Sequence, residues 1–299
     1  VTCANRKREA VPSRLQLRRV TGVRTTTRLT SWTERLSDAE INTVSAEDLY
    51  AGEHWDVARS LPTCASGFGR VTLWVASAGW GLIRASAKIR PYSATFAGGH
   101  PDSVPDGRWG AMEWWDAVAT WSGPETGAPR SLSALVAEHP QDRMLLVLSQ
   151  PYFAACAEDL ADAIDASSDG QISIVAAGVT DPDFATWRLP ANARLQQRFG
   201  GSRGSLNARI AAHLLRAGLI DHEAMRRHLQ RVLAKAPAMP VYARRRLTDD
   251  QVRTYIRQQR KRDVTLSRSR LLADLRDAGM ACEQQRFADL FADATARQL

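Results

Sequence analysis

The chain has 299 residues, of which 44% are hydrophobic and 24% charged, and a net charge of +8; this is the make-up of one large soluble domain or a main domain with a smaller one. No apolar run approaches the roughly 20 residues of a membrane-spanning helix, and no charged–apolar–small leader opens the sequence, so the expectation is a cytoplasmic protein with no membrane partner. Cys3, Cys64, Cys156 and Cys282 are scattered, with no Cys-x-x-Cys and no zinc-type spacing to the six histidines, so neither a disulfide framework nor a metal site is expected; no cofactor is implied.

The first segment, Val1-Thr2-Cys3-Ala4, is β-prone and runs into the polar Asn5-Arg6-Lys7-Arg8. It reads as a strand that begins partway, as in a truncated record or one whose start codon was read as valine. Residues 9–45 show no clear period and read as irregular with a short strand or two. A loose capping pattern at Ser45-Ala46-Glu47-Asp48 predicts a helix over 46–59. Nearly continuous apolar runs at 70–77, 143–149 and 171–177 predict buried strands, and helices are expected between them at 109–121, 131–138 and 151–167. Alternation of this kind predicts an α/β domain with a mostly parallel sheet and flanking helices, whose ligand site would gather in the loops after the strand ends.

From about Ser205 the pattern becomes helical, with helices expected at 205–217, 221–235, 248–262, 267–278 and 283–294. Gly200-Gly201-Ser202-Arg203-Gly204 punctuates the change, so the expected division is an α/β domain at 1–200 and a small basic all-α domain at 201–299. The pair 267–278 and 283–294, joined through Gly279, has the form of a helix-turn-helix.

Charge follows the same division. Residues 1–35 carry nine basic against two acidic residues, 36–200 carry 11 against 20, and 201–299 carry 20 against 10. Basic ends around an acidic middle suggest a polyanion partner, here double-stranded DNA. Arg257, Arg260, Lys261, Arg262, Arg268 and Arg270 crowd one predicted helix–helix junction and are the expected phosphate contacts, because arginine forks bind phosphate oxygens in pairs.

Four blocks of the first half have a recognisable order: Cys3-Ala4-Asn5-Arg6-Lys7, then Leu49-Tyr50-Ala51-Gly52-Glu53-His54-Trp55, then Ser77-Ala78-Gly79-Trp80-Gly81-Leu82, then Pro91-Tyr92. Together they resemble the YaaA-like superfamily, relatives of a peroxide-stress protein. The likeness covers residues 1–95 well, 140–200 loosely and the basic C-terminal region not at all. It implies an association with DNA and, through related domains in 7-deazaguanine modification, a protein that recognises or modifies a nucleobase. Cys3 beside Lys7 is then the candidate nucleophile, since a thiolate near cations attacks electrophilic carbon readily, with Lys7 orienting or polarising the substrate. Asn5, Tyr50, Ser77, Gly79, Trp80, Gly81 and Tyr92 are the candidate substrate contacts, the glycines leaving backbone N–H groups open and Trp80 offering a stacking face. The same residues also fit blander roles: Cys3 as a small buried residue, the glycine stretch as a tight turn, the aromatics as core. A non-catalytic DNA-binding module and a ligand-responsive regulator are the alternatives to an enzyme.

Overall fold

In the computed structural model, which describes residues 1–22, 24–104, 107–238 and 243–296, the first long helix forms where none was expected. Helix α1 (Thr25–Leu36) opens with three threonines, whose stiff branched side chains disfavour helix. It nevertheless buries Thr25, Trp32 and Leu36, spaced so that they lie along one helical stripe. Tertiary burial overrides local preference. The expected helix over 46–59 is interrupted: after strand β1 (Val44–Ser45) come α2 (Ala46–Leu49), α3 (Glu53–Arg59) and α4 (Leu61–Cys64). Gly52, with φ +97°, makes the break in a conformation that side-chain-bearing residues avoid.

Strand β2 (Trp74–Ser77) turns back into β3 (Gly81–Arg84), and β4 (Lys88–Ile89) follows. Next come α5 (Gly107–Ala119), α6 (Leu132–Glu138), β5 (Met144–Val147), α7 (Gln150–Ala155), α8 (Ala157–Asp165), β6 (Ile172–Val175), α9 (Leu195–Phe199), α10 (Leu206–Arg216) and α11 (His222–Ala234). The expected 151–167 helix is thus two helices meeting at Cys156. The chain continues through β7 (Arg245–Arg246), α12 (Asp249–Arg262), α13 (Arg268–Asp277), β8 (Met280–Ala281) and α14 (Gln284–Ala296).

The expected mostly parallel α/β sheet does not form. The structure is helix-rich, about 49% helical, and its sheets are two-stranded: β1–β4 and β2–β3 antiparallel, β5–β6 and β7–β8 parallel. The cause lies in length and turning. The long apolar runs yield strands of only four residues, and the Ala78–Trp80 turn reverses the chain into a hairpin with Ser77 opposite Gly81, where a parallel neighbour would need a crossover. Residues 1–3 run between two of these ladders. The Thr2 N–H donates to the Val147 carbonyl at 3.2 Å and the Cys3 N–H to the Ala76 carbonyl at 3.0 Å.

The chain divides into two compact units, Val1–Ala238 and Met239–Leu299, so the boundary lies beyond the expected one near residue 200. Helix α10 shows why. Its Ala208, Ala211 and Ala212 enter the main core, while Leu206, Ile210 and Leu214 enter a second cluster of the same unit. Asn207 also clamps the ends of β5 and β6, donating to the Leu148 carbonyl at 2.8 Å and accepting the Ala177 N–H at 2.9 Å. The glycine-rich stretch before α10 is likewise tied down: Glu53 accepts from the Ser202 N–H at 3.0 Å, the Ser205 hydroxyl at 3.1 Å and the Arg209 guanidinium at 2.6 Å.

The second unit has its own core, including Val252, Ile256, Leu271, Leu275 and Phe287. A capping box of Thr248 and Gln251 opens α12, and the Ser267 side chain caps α13. Gly279, at φ +75°, ends the turn after α13 as its position at C′ requires. No helix among the described residues is long and apolar enough to cross a membrane.

Candidate functional site

Five segments far apart in sequence converge on one buried cluster. At the end of β2, the Ser77 hydroxyl oxygen accepts the N–H groups of Trp80 at 3.0 Å and Gly79 at 3.3 Å. With both lone pairs used, its own proton goes to the Tyr92 hydroxyl 2.6 Å away, and the Tyr92 and Tyr50 hydroxyls share a hydrogen bond at 2.9 Å. The hairpin turn that holds Ser77 is braced from behind: Trp32 Nε1 donates to the Gly79 carbonyl at 2.8 Å and Trp114 Nε1 to the Ala78 carbonyl at 2.7 Å. Gly79 is required by contact, because a Cβ there would lie 2.4 Å from two Tyr92 ring carbons.

Cys3 and Lys7 border this network. The Cys3 thiol, 6% exposed, lies 3.0 Å from the Tyr152 hydroxyl of α7. The Lys7 ammonium donates to the carbonyls of Ala4 at 2.7 Å and Asn5 at 3.2 Å, and stands 4.6 Å from the Tyr92 ring centroid and 5.3 Å from that of Tyr50. An isolated bridge pairs Lys7 with Tyr50 in antiparallel fashion. Burial pushes the Lys7 ammonium below its ordinary value, opposed by the Cys3 sulfur and then by the Asp102 carboxylate. Burial also holds Tyr50, Tyr92 and Tyr152 well above the usual phenol range, with the Cys3 sulfur adding to each. The three phenols stay protonated at neutral pH, so Tyr152 is a ready donor to sulfur. The thiol thus pairs with the Tyr152 phenol, while the amine, with a reduced hold on its proton, faces the Tyr50 and Tyr92 rings within electrostatic range of the sulfur.

The structure thus brings together Cys3, Lys7, Tyr50, Ser77, Gly79 and Tyr92, and it changes what several of them offer. The Gly79 and Trp80 amides expected to be open to a ligand are occupied by Ser77. The Trp80 ring is 2% exposed and packs on Trp121 at 5.2 Å, leaving no free stacking face. Gly81, at φ +70°, sits against the Arg130 guanidinium, which donates to the Trp80, Leu82 and Trp121 carbonyls and so rigidifies the hairpin. Burial holds Arg130 down to about 10. Asn5 is exposed, as are Arg6 and Arg8. Among the tryptophans of α5, Trp109 is 76% exposed while Trp114 and Trp115 are buried.

Tyr152 was missed in sequence, although the loop after β5 was expected to reach the site; nothing in Ser149-Gln150-Pro151-Tyr152 singles out the phenol. Asp102, in the Gly/Pro-rich loop with His100, is a structural acceptor: it takes the Arg18 N–H at 3.0 Å and the Ser93 hydroxyl at 2.7 Å. Among the described residues no group of three or more His, Cys, Asp and Glu is placed to hold a metal.

In the second unit the six expected phosphate contacts separate into three kinds. Arg257, Lys261, Arg262 and Arg268 are exposed and carry no ion pair among the described residues. Arg270 pairs with Asp274 at 2.9 Å. Arg260 is half-buried, its guanidinium 5.5 Å from the Phe291 ring centroid, and serves packing.

No protein-family model matches the chain, and neither a curated protein nor a solved structure matches it.

Proposed function

We propose that this protein associates with nucleic acid, recognising or modifying a nucleobase through its first unit while cations of its second unit hold the duplex. The observation that carries this reading is the Cys3–Tyr152–Lys7 cluster, assembled from separate segments in a chain that also has a compact basic unit. The blocks that resemble the YaaA-like superfamily supply Cys3, Lys7 and the neighbouring Tyr50, Ser77 and Tyr92, and that resemblance supports a base as the ligand; Tyr152 lies outside them. The chemistry suits a nitrile or similar polarised carbon on a 7-deazaguanine. The thiol adds across the C≡N group: an S–C bond forms, one C–N π bond breaks, and the thiol proton ends on nitrogen, giving a thioimidate without any other reactant. Tyr152 steadies the sulfur and Lys7 polarises the nitrile. Cys3 is buried, so a substrate requires local opening around it; the adjoining Asn5–Arg8 segment is held by the Arg8 N–H on the Leu49 carbonyl at 2.8 Å and the Ala51 N–H on the Arg6 carbonyl at 3.0 Å.

A second reading, a non-catalytic binding module, is favoured by one feature: Tyr50, Trp80 and Tyr92 are consumed by packing. Intact-protein mass spectrometry after incubation with a 7-cyano-7-deazaguanine base, alongside duplex binding by gel shift, separates the two. The enzyme reading expects an adduct of the base's full mass on the peptide containing Cys3, absent in Cys3→Ser. Duplex binding without any adduct selects the binding module. Neither adduct nor nucleic-acid binding would overturn both.

A further inference from the structure

We propose that His213 and His228 form a two-imidazole site for a first-row divalent transition metal of the Ni²⁺ or Cu²⁺ class. His213 projects from the last turn of α10 and His228 from the middle of α11, and their Nε2 atoms face each other at 2.8 Å. Two nitrogens that close hold a single proton between them: one ring donates and the other accepts. The rings are half-buried, with centroids 5.0 Å apart and planes 41° apart, and the Phe199 ring packs on His213 at 4.7 Å. Phe199 packs against one ring and the two helices set both Cβ positions, so the imidazoles are held as neighbours.

Distance bears on which ions the pair accommodates with least movement. An ion about 2.0–2.1 Å from each imidazole nitrogen needs the nitrogens about 2.9 Å apart at a right angle, but about 3.3–3.4 Å apart at the tetrahedral angle. The hydrogen-bonded separation of 2.8 Å lies nearer the right-angle value than the tetrahedral one, so a square or octahedral ion of the Cu²⁺ or Ni²⁺ class needs less movement of the rings than tetrahedral Zn²⁺. The rings need only tilt about their own side-chain bonds to aim both lone pairs at a common point. Binding consumes nothing else: the donor ring moves its proton from Nε2 to Nδ1, and neither Nδ1 has a protein partner among the described residues, so water satisfies it.

The positive charges of Arg198 and Arg216 are felt at His213. The two arginines weaken attraction for any cation and favour an anion on the metal's remaining positions. No third protein ligand is placed to complete the site among the described residues, so those positions are filled by water or such an anion.

The test is calorimetric titration of the full chain with Ni²⁺ alone in a non-coordinating buffer near pH 7.5, repeated on His213→Asn, His228→Gln and a control, His139→Ala. Carboxamide replacements preserve a polar partner across the helix pair, and circular dichroism checks that each variant folds. The expected result is one site of micromolar affinity, weakened at least tenfold in both carboxamide variants and unchanged in the control. Ni²⁺ should also raise the melting temperature of the wild type but of neither carboxamide variant, since only a ligand bound to the native state stabilises it. No single-site binding to the wild type, or equal affinity in all four proteins, overturns the proposal.

Discussion

The Tyr152 hydroxyl lies 3.0 Å from the Cys3 sulfur although 149 positions of sequence separate them. Burial keeps that phenol protonated, so whenever the sulfur is ionised Tyr152 donates to it, and a hydrogen bond to a charged partner contributes about 1.5–3 kcal/mol. Tyr152→Phe deletes the donor and leaves the ring. Labelling of Cys3 by a small neutral alkylator at neutral pH, followed on its peptide by mass spectrometry, should slow about tenfold. Faster labelling in the variant would mean that the phenol shields the sulfur instead.

Gly79→Ala tests the packing that holds the Ser77 turn against Tyr92. The new Cβ would meet two Tyr92 ring carbons at 2.4 Å and a Trp32 ring carbon at 3.2 Å. All three belong to buried rings that cannot swing aside. Overpacking of this kind costs about 1–3 kcal/mol or more, and the turn should lose that much in a urea midpoint measurement. Gly67→Ala, where nothing lies within 4 Å, should change the midpoint little.

The bond set around Glu53 predicts an acid-sensitive step. The side chains of Ser202 and Arg209, with the Ser202 N–H, hold its carboxyl down at about 2 against an ordinary 4.5. A carboxylate with a depressed folded value contributes stability that is present above the ordinary value and lost as pH falls from about 4.5 toward 2. Glu53 is 38% exposed, so solvent screening limits the contribution to about 1 kcal/mol. Glu53→Gln should therefore lower the urea midpoint at pH 7 modestly, and the gap to wild type should narrow steadily as pH falls toward 2. A gap that persists undiminished at pH 2 would assign the effect to lost packing rather than charge.

Exposure separates Lys261 and Arg262 from the half-buried Arg260. On the proposed nucleic-acid reading, Lys261→Glu with Arg262→Glu removes two exposed cations and should weaken duplex DNA binding across sequences, flattening its salt dependence by about one unit per lost contact. Arg260→Glu acts differently, because its guanidinium rests on Phe291; it should lower the melting temperature. Fluorescence anisotropy at several salt concentrations and thermal melts read the two effects separately. Wild-type affinity and slope in the double variant would remove these residues from the interface.

Much of the helical second half was legible because its signals are local. Thr248 and Gln251 at capping-box spacing, Asp221 before an apolar period, and Gly279 after α13 each act within one turn of the chain, and the helices begin and end beside them. The strand runs at 144–147 and 172–175 were legible for the same reason, as continuous apolar stretches. Cys3, Lys7, Tyr50, Ser77 and Tyr92 were grouped as a set by the resemblance of four ordered blocks to the YaaA-like superfamily rather than by a local signal.

What the sequence left open depends on contacts between distant residues. Helix α1 exists because Trp32 and Leu36 find a core, although its threonines favour extended chain. The sheet class turned on whether the residues after Ser77 cross over or reverse, and the Ala78–Trp80 turn braced by Trp32 and Trp114 reverses them. The unit boundary moved to Ala238 because α10 inserts alanines on one face and leucines on the other into two clusters of one body. Tyr152 on Cys3, Ser77 on the Gly79 and Trp80 amides, and His213 on His228 are likewise pairings in space. A side chain's partner is set by which surfaces burial brings together, and that follows from the packing of the whole unit rather than from the residues on either side of it.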